Sequence, residues 1–334
     1  MNRRQFLITA TAPAVLAACA PTIQQAGVPG LGFSGPRLED EVIVSFDGAR
    51  LGLTVWKPEG APRSAVVALH GMNDYANAFH FAAPKWTEAG IVTYAFDQRG
   101  FGRSPGRGVW GGEALMVEDL RVAVNLVRQR HPDLPVTVIG ESMGGAVAIA
   151  AFASADPPQA HRMALMAPAV WGWSSQPLPY KTALWFTAHV AGDKVLKPPR
   201  WVTDRVHPSD NIEELIAMGR DPLMIWGARN DTLYGLVDLM ESAWASVPRL
   251  RVPTGYFYGQ NDEIIPKEPS FQSARRLKPS DRSAYYENGY HLLTRDHARD
   301  RVIGDVQAFI LDPDAPFPSN PKPIPTAPQS RARS

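Results

Sequence analysis

The sequence predicts an α/β fold: a mostly parallel sheet with helices on both faces and a helical cap inserted late in the chain. Three observations carry this. Short β-branched runs alternate with stretches of helical pattern along most of the 334 residues. Those runs are too short for helices and read as strands buried on both faces. The alternation then breaks between Ala169 and Asn230, where tryptophans and prolines crowd together.

"EVIVSFDGARLGLTVW" holds two alternating runs around Asp47-Gly48, a hairpin signal because glycine accepts positive φ. "SAVVALHG" (Ser64 to Gly71) and "IVTYAFD" (Ile91 to Asp97) follow as buried parallel strands, with a helical pattern from Ala76 to Glu88 between them. "GGEALMVEDLRVAVNLVRQRHP" reads as a helix with Leu115, Val122, Leu126 and Val127 on one side, stopped before Pro132. "VTVIG" and "RMALMAP" are the next two strands. The segment 169–232 carries five of the nine tryptophans and is expected to be the cap, splitting a core of residues 37–168 and 233–311. After a helix near Tyr234 to Ala245, strands resume at Thr254 to Gly259 and Ser283 to Asn288, and a last helix is expected from Arg295 to Leu311. The tail 312–334 holds seven prolines and is expected to be disordered or extended, without a core.

Composition narrows the function. Apolar residues make up 45% of the chain, enough for a large core. With 34 basic against 33 acidic residues there is no electrostatic case for a nucleic-acid partner. Past the N-terminus no window of about 20 uncharged apolar residues suggests a spanning helix. The single cysteine, Cys19, excludes an intramolecular disulfide and a cysteine-based metal cage. Its setting, "MNRRQFLITATAPAVLAACAP", has a charged start, a short apolar middle and small residues before the cysteine, the layout of a bacterial export signal. Arg3-Arg4 with Phe6-Leu7 resembles a twin-arginine signal, with Asn2 where Ser or Thr is usual. Leu16 to Cys19 resembles a lipobox. Residues 1–18 are therefore expected to be removed and Cys19 lipidated, anchoring the protein to a membrane facing the periplasm. Ala20 in place of an aspartate slightly favours the outer membrane. Residues 19–36, rich in Gly, Pro and Gln, read as a tether.

Gly140-Glu141-Ser142-Met143-Gly144 sits where a strand turns directly into a helix. Such a corner forces the serine into a strained conformation and leaves no room for a Cβ on either glycine, so the hydroxyl projects as a nucleophile. A serine needs a base to take its proton and an acid to orient that base. Of eight histidines, His291 in "NGYHLL" follows the last strand; its nearest rival, His297, lies within the expected final helix. "YFYGQNDEIIP" leaves a strand into a loop and makes Asp262 the acid, with Glu263 as fallback. The backbone N–H groups of Met143, at the helix start, and Met72, after "VVALHG", are the expected oxyanion donors. His70 reads as structural.

"LHGMNDYA", "FDQRGFGRS", "GESMGG", "GQNDEIIP" and "NGYHLL" together resemble the monoacylglycerol lipase and lysophospholipase branch of the α/β-hydrolases, also called the serine aminopeptidase or hydrolase 4 type. The resemblance spans about Leu38 to Leu311 and is specific as an ordered set. It implies an α/β-hydrolase fold with an eight-stranded sheet, a triad of Ser142, Asp262 and His291, oxyanion donors at Met72 and Met143, and no metal or organic cofactor. Asp97 to Ser104 is expected to buttress the site without a catalytic role. The lipoprotein-like start and the proline-rich tail depart from the family pattern.

The expected activity is hydrolysis of carboxylic esters through an acyl-enzyme. An apolar cap over the serine suits an acyl chain, since each buried CH₂ contributes about 0.8 kcal/mol; monoacylglycerol or lysophospholipid esters are the favoured substrates. An acyltransferase, peptidase or non-lipid esterase would use the same triad. A ligand-binding lipoprotein without turnover is the reading of another class.

Overall fold

The computed structural model describes residues 20–199 and 205–325. Cys19, its expected lipidation and the export signal lie outside the described residues, as does Trp201. The strands of the main sheet are β1 (Arg37–Leu38), β2 (Val42–Val44), β3 (Arg50–Trp56), β4 (Ser64–Leu69), β5 (Ile91–Phe96), β6 (Val136–Glu141), β7 (Arg162–Met166), β10 (Thr254–Gly259) and β11 (Arg282–Tyr286). They lie side by side in the order β1-β2-β3-β5-β4-β6-β7-β10-β11. Strands β1 to β3 meet as antiparallel neighbours, and β3 joins β5 antiparallel. From β5 to β11 every pairing is parallel. The sheet has nine strands rather than the eight expected, because Arg37–Leu38 pairs with Ile43 and Val44 and extends the hairpin edge.

The sequence explains the layering. All residues of β4, β5, β6 and β10 are buried, as continuous apolar runs require when helices cover both faces. One face packs under helix α1 (Ala82–Glu88) and helix α8 (Arg299–Leu311), where Trp86, Val302 and Ile303 are almost wholly buried. The other carries α2 (Glu113–Arg130), α3 (Met143–Phe152) and α6 (Asn230–Ser246). Helix α3 buries all of its residues, which accounts for its lack of a polar stripe. Between β7 and α6 the cap contributes α4 (Leu178–Val190), α5 (Ile212–Arg220) and a short antiparallel pair of β8 (Val195–Leu196) with β9 (Ala228–Arg229). Helix α7 (Lys267–Arg275) links β10 to β11. Among the described residues no helix is long and apolar enough to cross a membrane.

Three local expectations are corrected. The helical pattern from Ala76 is split, because the Asp97 carboxylate takes the Ala76 N–H and a short 3₁₀ turn precedes α1. The last helix begins at Arg299, since Arg295 and Asp296 are committed to contacts across the site. The tail does pack as far as residue 325. The Tyr285 N–H donates to the Lys322 carbonyl at 2.7 Å, the Ile324 N–H reaches Ser283 Oγ, and the side chains of Phe317 and Ile324 are buried. Prolines lack the N–H that a ladder would use, but the exposed edge of β11 accepts a strap that bonds at alternate residues. The tether docks too: the Gln24 side chain donates to the Val109 carbonyl at 2.8 Å and the Gly27 N–H to Asp47 at 2.7 Å.

Candidate active site

The parallel strands end at one rim, and loops after four of them build the site. Strand β6 turns into α3 at Ser142, whose φ of 51° and ψ of −116° lie in a region costly for a residue with a side chain. Three bonds hold the corner: the Ser142 N–H donates to Met166, and the Ser142 carbonyl accepts from Ala146 and Ala169. A Cβ on Gly140 would lie 2.5 Å from the Gly144 carbonyl oxygen, and one on Gly144 would strike the Leu69 carbonyl of β4. Only glycines let the strand, the corner and the helix approach this closely.

Asp262 leaves β10 and is 5% exposed. Its Oδ1 accepts the N–H groups of Ile264 at 2.8 Å and Ile265 at 2.9 Å, while Oδ2 meets His291 Nδ1 at 2.8 Å. The acceptor-only carboxylate makes Nδ1 the protonated nitrogen and leaves Nε2 with its lone pair. Burial pushes the His291 pKa down, but the charge and hydrogen bond of Asp262, with the charge of Glu141, outweigh it and raise the value. Ser142 is 8% exposed and its hydroxyl makes no hydrogen bond to a described residue. The structure thus joins Asp262 to His291 and sets Ser142 on its own elbow, beside Glu141, whose charge His291 senses.

Gly71 lies against the elbow serine, since a Cβ there would be 3.3 Å from Ser142 Cβ. This brings the Met72 loop alongside the start of α3, where Met143 is fully buried. The first N–H groups of a helix have no partner within it, so the Met143 N–H is available to an oxyanion. His70 is fixed structurally: one ring nitrogen meets the Gly71 carbonyl at 2.7 Å and the other accepts the Gln98 N–H at 2.9 Å. Burial lowers its pKa and favours the neutral ring. Glu263, the fallback acid, accepts the His207 N–H from the cap. His297, the rival base, donates its backbone N–H to Asp210. Asp97 accepts from Ala76 and Arg103, bracing the loop behind the site.

Sequence reasoning missed a buried ion group next to these residues. Arg295 donates to Asp74 at 2.7 Å and to Glu141 at 2.6 Å, and all three are nearly inaccessible. The one available signal was an arginine four residues beyond the histidine, directly after Leu292, Leu293 and Thr294. The cap is divided in character. Trp171 and Trp173 pack against the core, whereas Leu178, Trp185, Phe186 and Val190 of α4 are more than half exposed. The latter four fall on one side of the helix by its 3.6-residue period.

The model of the family described as "Serine aminopeptidase, S33" (Hydrolase_4) matches residues 60–298. A monoacylglycerol lipase of Mycolicibacterium smegmatis is 29% identical over 279 residues, covering 79% of this chain and 94% of its own. Human monoglyceride lipase is 26% identical, covering 76% of this chain and 84% of its own. Among solved structures, a soluble variant of the Saccharomyces cerevisiae monoglyceride lipase with a substrate analogue superposes with a TM-score of 0.69 at 18% identity, covering 86% of this chain and 99% of that one. A Bacillus coagulans carboxyl esterase with glycerol gives 0.67 at 22% identity, covering 80% and 95%. At these identities the solved structures speak for the fold, which is that of the α/β-hydrolases.

Proposed function

The chain belongs to the serine aminopeptidase S33 (Hydrolase_4) family, and we propose that within it this serine ester hydrolase cleaves monoacylglycerol or lysophospholipid esters. The observation that carries the chemistry is the 2.8 Å bond from His291 to Asp262, at the same rim as a serine held at positive φ on a strand-to-helix corner. The steps follow from it. His291 Nε2 takes the Ser142 proton as Oγ attacks the ester carbonyl. The oxyanion is met by the N–H groups of Met72 and Met143. The imidazolium then returns the proton to the leaving alcohol, and water repeats the sequence to release the acid. Asp262 holds the tautomer throughout. Removing one oxyanion donor of this kind typically costs about 100–1,000-fold in turnover.

The lipid preference is supported by the monoacylglycerol and monoglyceride lipases among the relatives and by the exposed apolar side of α4. Anchoring through a lipidated Cys19, with the body facing the periplasm, is supported by the Arg3-Arg4 start and the Leu16 to Cys19 run. Two experiments test these readings. Ser142→Ala should abolish hydrolysis of p-nitrophenyl esters in a folded protein, and monoacylglycerols of increasing chain length should be turned over faster than aminoacyl amides. Rates equal in mutant and parent, or faster cleavage of amides, would refute the reading. Radiolabelled palmitate should enter the parent and be absent from Cys19→Ser; label in both would remove the anchor.

A further inference from the structure

The steps above make no use of the ion group behind the nucleophile. Its members come from two loops and the end of β6. Asp74 lies two residues past Met72, Glu141 immediately precedes Ser142, and Arg295 follows His291 by four. The guanidinium is 1% exposed and bonds one carboxylate through each terminal nitrogen, at 2.7 and 2.6 Å. Asp74 is fixed in turn, since its other oxygen accepts the Tyr75 N–H at 2.8 Å. The Arg295 carbonyl accepts from Asn211 of the cap at 2.9 Å.

Burying three charges is a poor route to stability, because apolar side chains of similar volume often do as well or better. What a guanidinium supplies instead is planar, two-armed geometry that neither lysine nor an apolar residue can copy. We propose that Arg295 is a positioning residue, its two bonds holding the Met72 loop, the Ser142 elbow and the His291 loop in one productive arrangement. The proposal rests on the triad reading above. It also sets a second carboxylate close to the reacting groups: a Cβ on Gly71 would lie 3.3 Å from Ser142 Cβ and 3.7 Å from Glu141 Oε1. The ionisable groups whose charges bear on His291 are Asp262, Glu141, Arg295 and Asp296; Asp262 and Glu141 favour its charged form and Arg295 opposes it.

Arg295→Met leaves two buried carboxylates unpaired and is a poor probe, because it threatens the fold itself. Arg295→Lys keeps the charge but cannot span both partners. It should lower kcat on a p-nitrophenyl ester about 10–100-fold, leave KM within about threefold and keep the melting temperature within a few degrees, as displacement of reacting groups does. Glu141→Gln keeps an acceptor for Arg295 and removes one negative charge near His291. The acid limb of its kcat/KM profile should move to lower pH by about half a unit to one unit. A structural role alone would leave that limb in place. Turnover of Arg295→Lys within twofold of the parent, or an unmoved limb in Glu141→Gln, would overturn the proposal. A fluorophosphonate probe on the parent separates the two failures. Labelling at Ser142 alongside unaffected variants removes only the positioning role, whereas no labelling of folded parent removes the triad and this proposal with it.

Discussion

Asp262→Asn should inactivate the enzyme while leaving its shape intact, and the hydrogen bonds show why. Asp262 Oδ1 is already committed to two backbone donors, Ile264 and Ile265, at 2.8 and 2.9 Å. An asparagine must keep its carbonyl oxygen there, since its NH₂ group cannot accept from either. The NH₂ then faces His291 Nδ1 across the present 2.8 Å gap. Two N–H groups cannot share that bond, so the ring loses the Nδ1 proton and carries it on Nε2. The nitrogen that should take the Ser142 proton becomes a donor. In serine hydrolases a forced tautomer of this kind lowers kcat by about 10⁴, or roughly 5 kcal/mol of transition-state stabilisation. Initial rates on p-nitrophenyl butyrate between pH 7 and 9, beside a thermal melt, measure both halves of the expectation. A variant within tenfold of the parent, with an unchanged melt, would refute the assignment of the acid and move attention to Glu263.

Other consequences follow from particular contacts. Gly144→Val should not yield an active fold, because its first side-chain carbon meets the Leu69 carbonyl; soluble, fully active protein would contradict the packing of the elbow. Removing residues 313–334 strips Phe317 and Ile324 from the sheet edge. At about 2 kcal/mol for each buried side chain, less the ordering entropy regained, the melting temperature should fall by roughly 2–5 °C, with β11 left open to aggregation. Burial raises the Asp296 pKa to about 6, even though Ser209 and Tyr290 bond to it. A carboxyl whose folded pKa lies above its unfolded value stabilises fully below the unfolded value and loses that contribution as pH rises through the folded one. Urea titrations should therefore show stability falling between about pH 4 and 6, by on the order of 2–3 kcal/mol, and Asp296→Asn should flatten that slope. An unchanged slope would place the proton elsewhere.

The backbone of the fold was legible because its signals are local. β4, β5, β6 and β10 are mostly apolar runs without a regular polar alternation, as burial on both faces requires. The elbow was legible for a related reason, since two glycines flanking a serine after such a run announce a steric need. Arg295 was not, because its meaning lies in partners 154 and 221 residues away, and position in the chain carries no trace of them. Read by pattern, it continues a helix; in space it withholds its residue from that helix. The tail misled differently. Its prolines do exclude a helix or a central strand, but they do not exclude a strap whose backbone meets β11 through Lys322 and Ile324.

That contrast bears on how the site works. A parallel sheet delivers its loops to one rim, but each loop is anchored at its strand alone and is otherwise free to drift. Catalysis tolerates drift of only a fraction of an ångström between hydroxyl, imidazole and oxyanion donors. Hydrophobic contact cannot supply that tolerance at a rim that must stay open to substrate. Directional bonds can. They run from Asp262 to the turn at Ile264 and Ile265, from Asp296 to the Tyr290 N–H beside the histidine, and from Tyr290 and Leu292 onward to the cap through Asp296, Ser209 and Pro208. The polar burial that looks wasteful in a stability account is therefore concentrated where loops from distant parts of the chain must agree on one geometry.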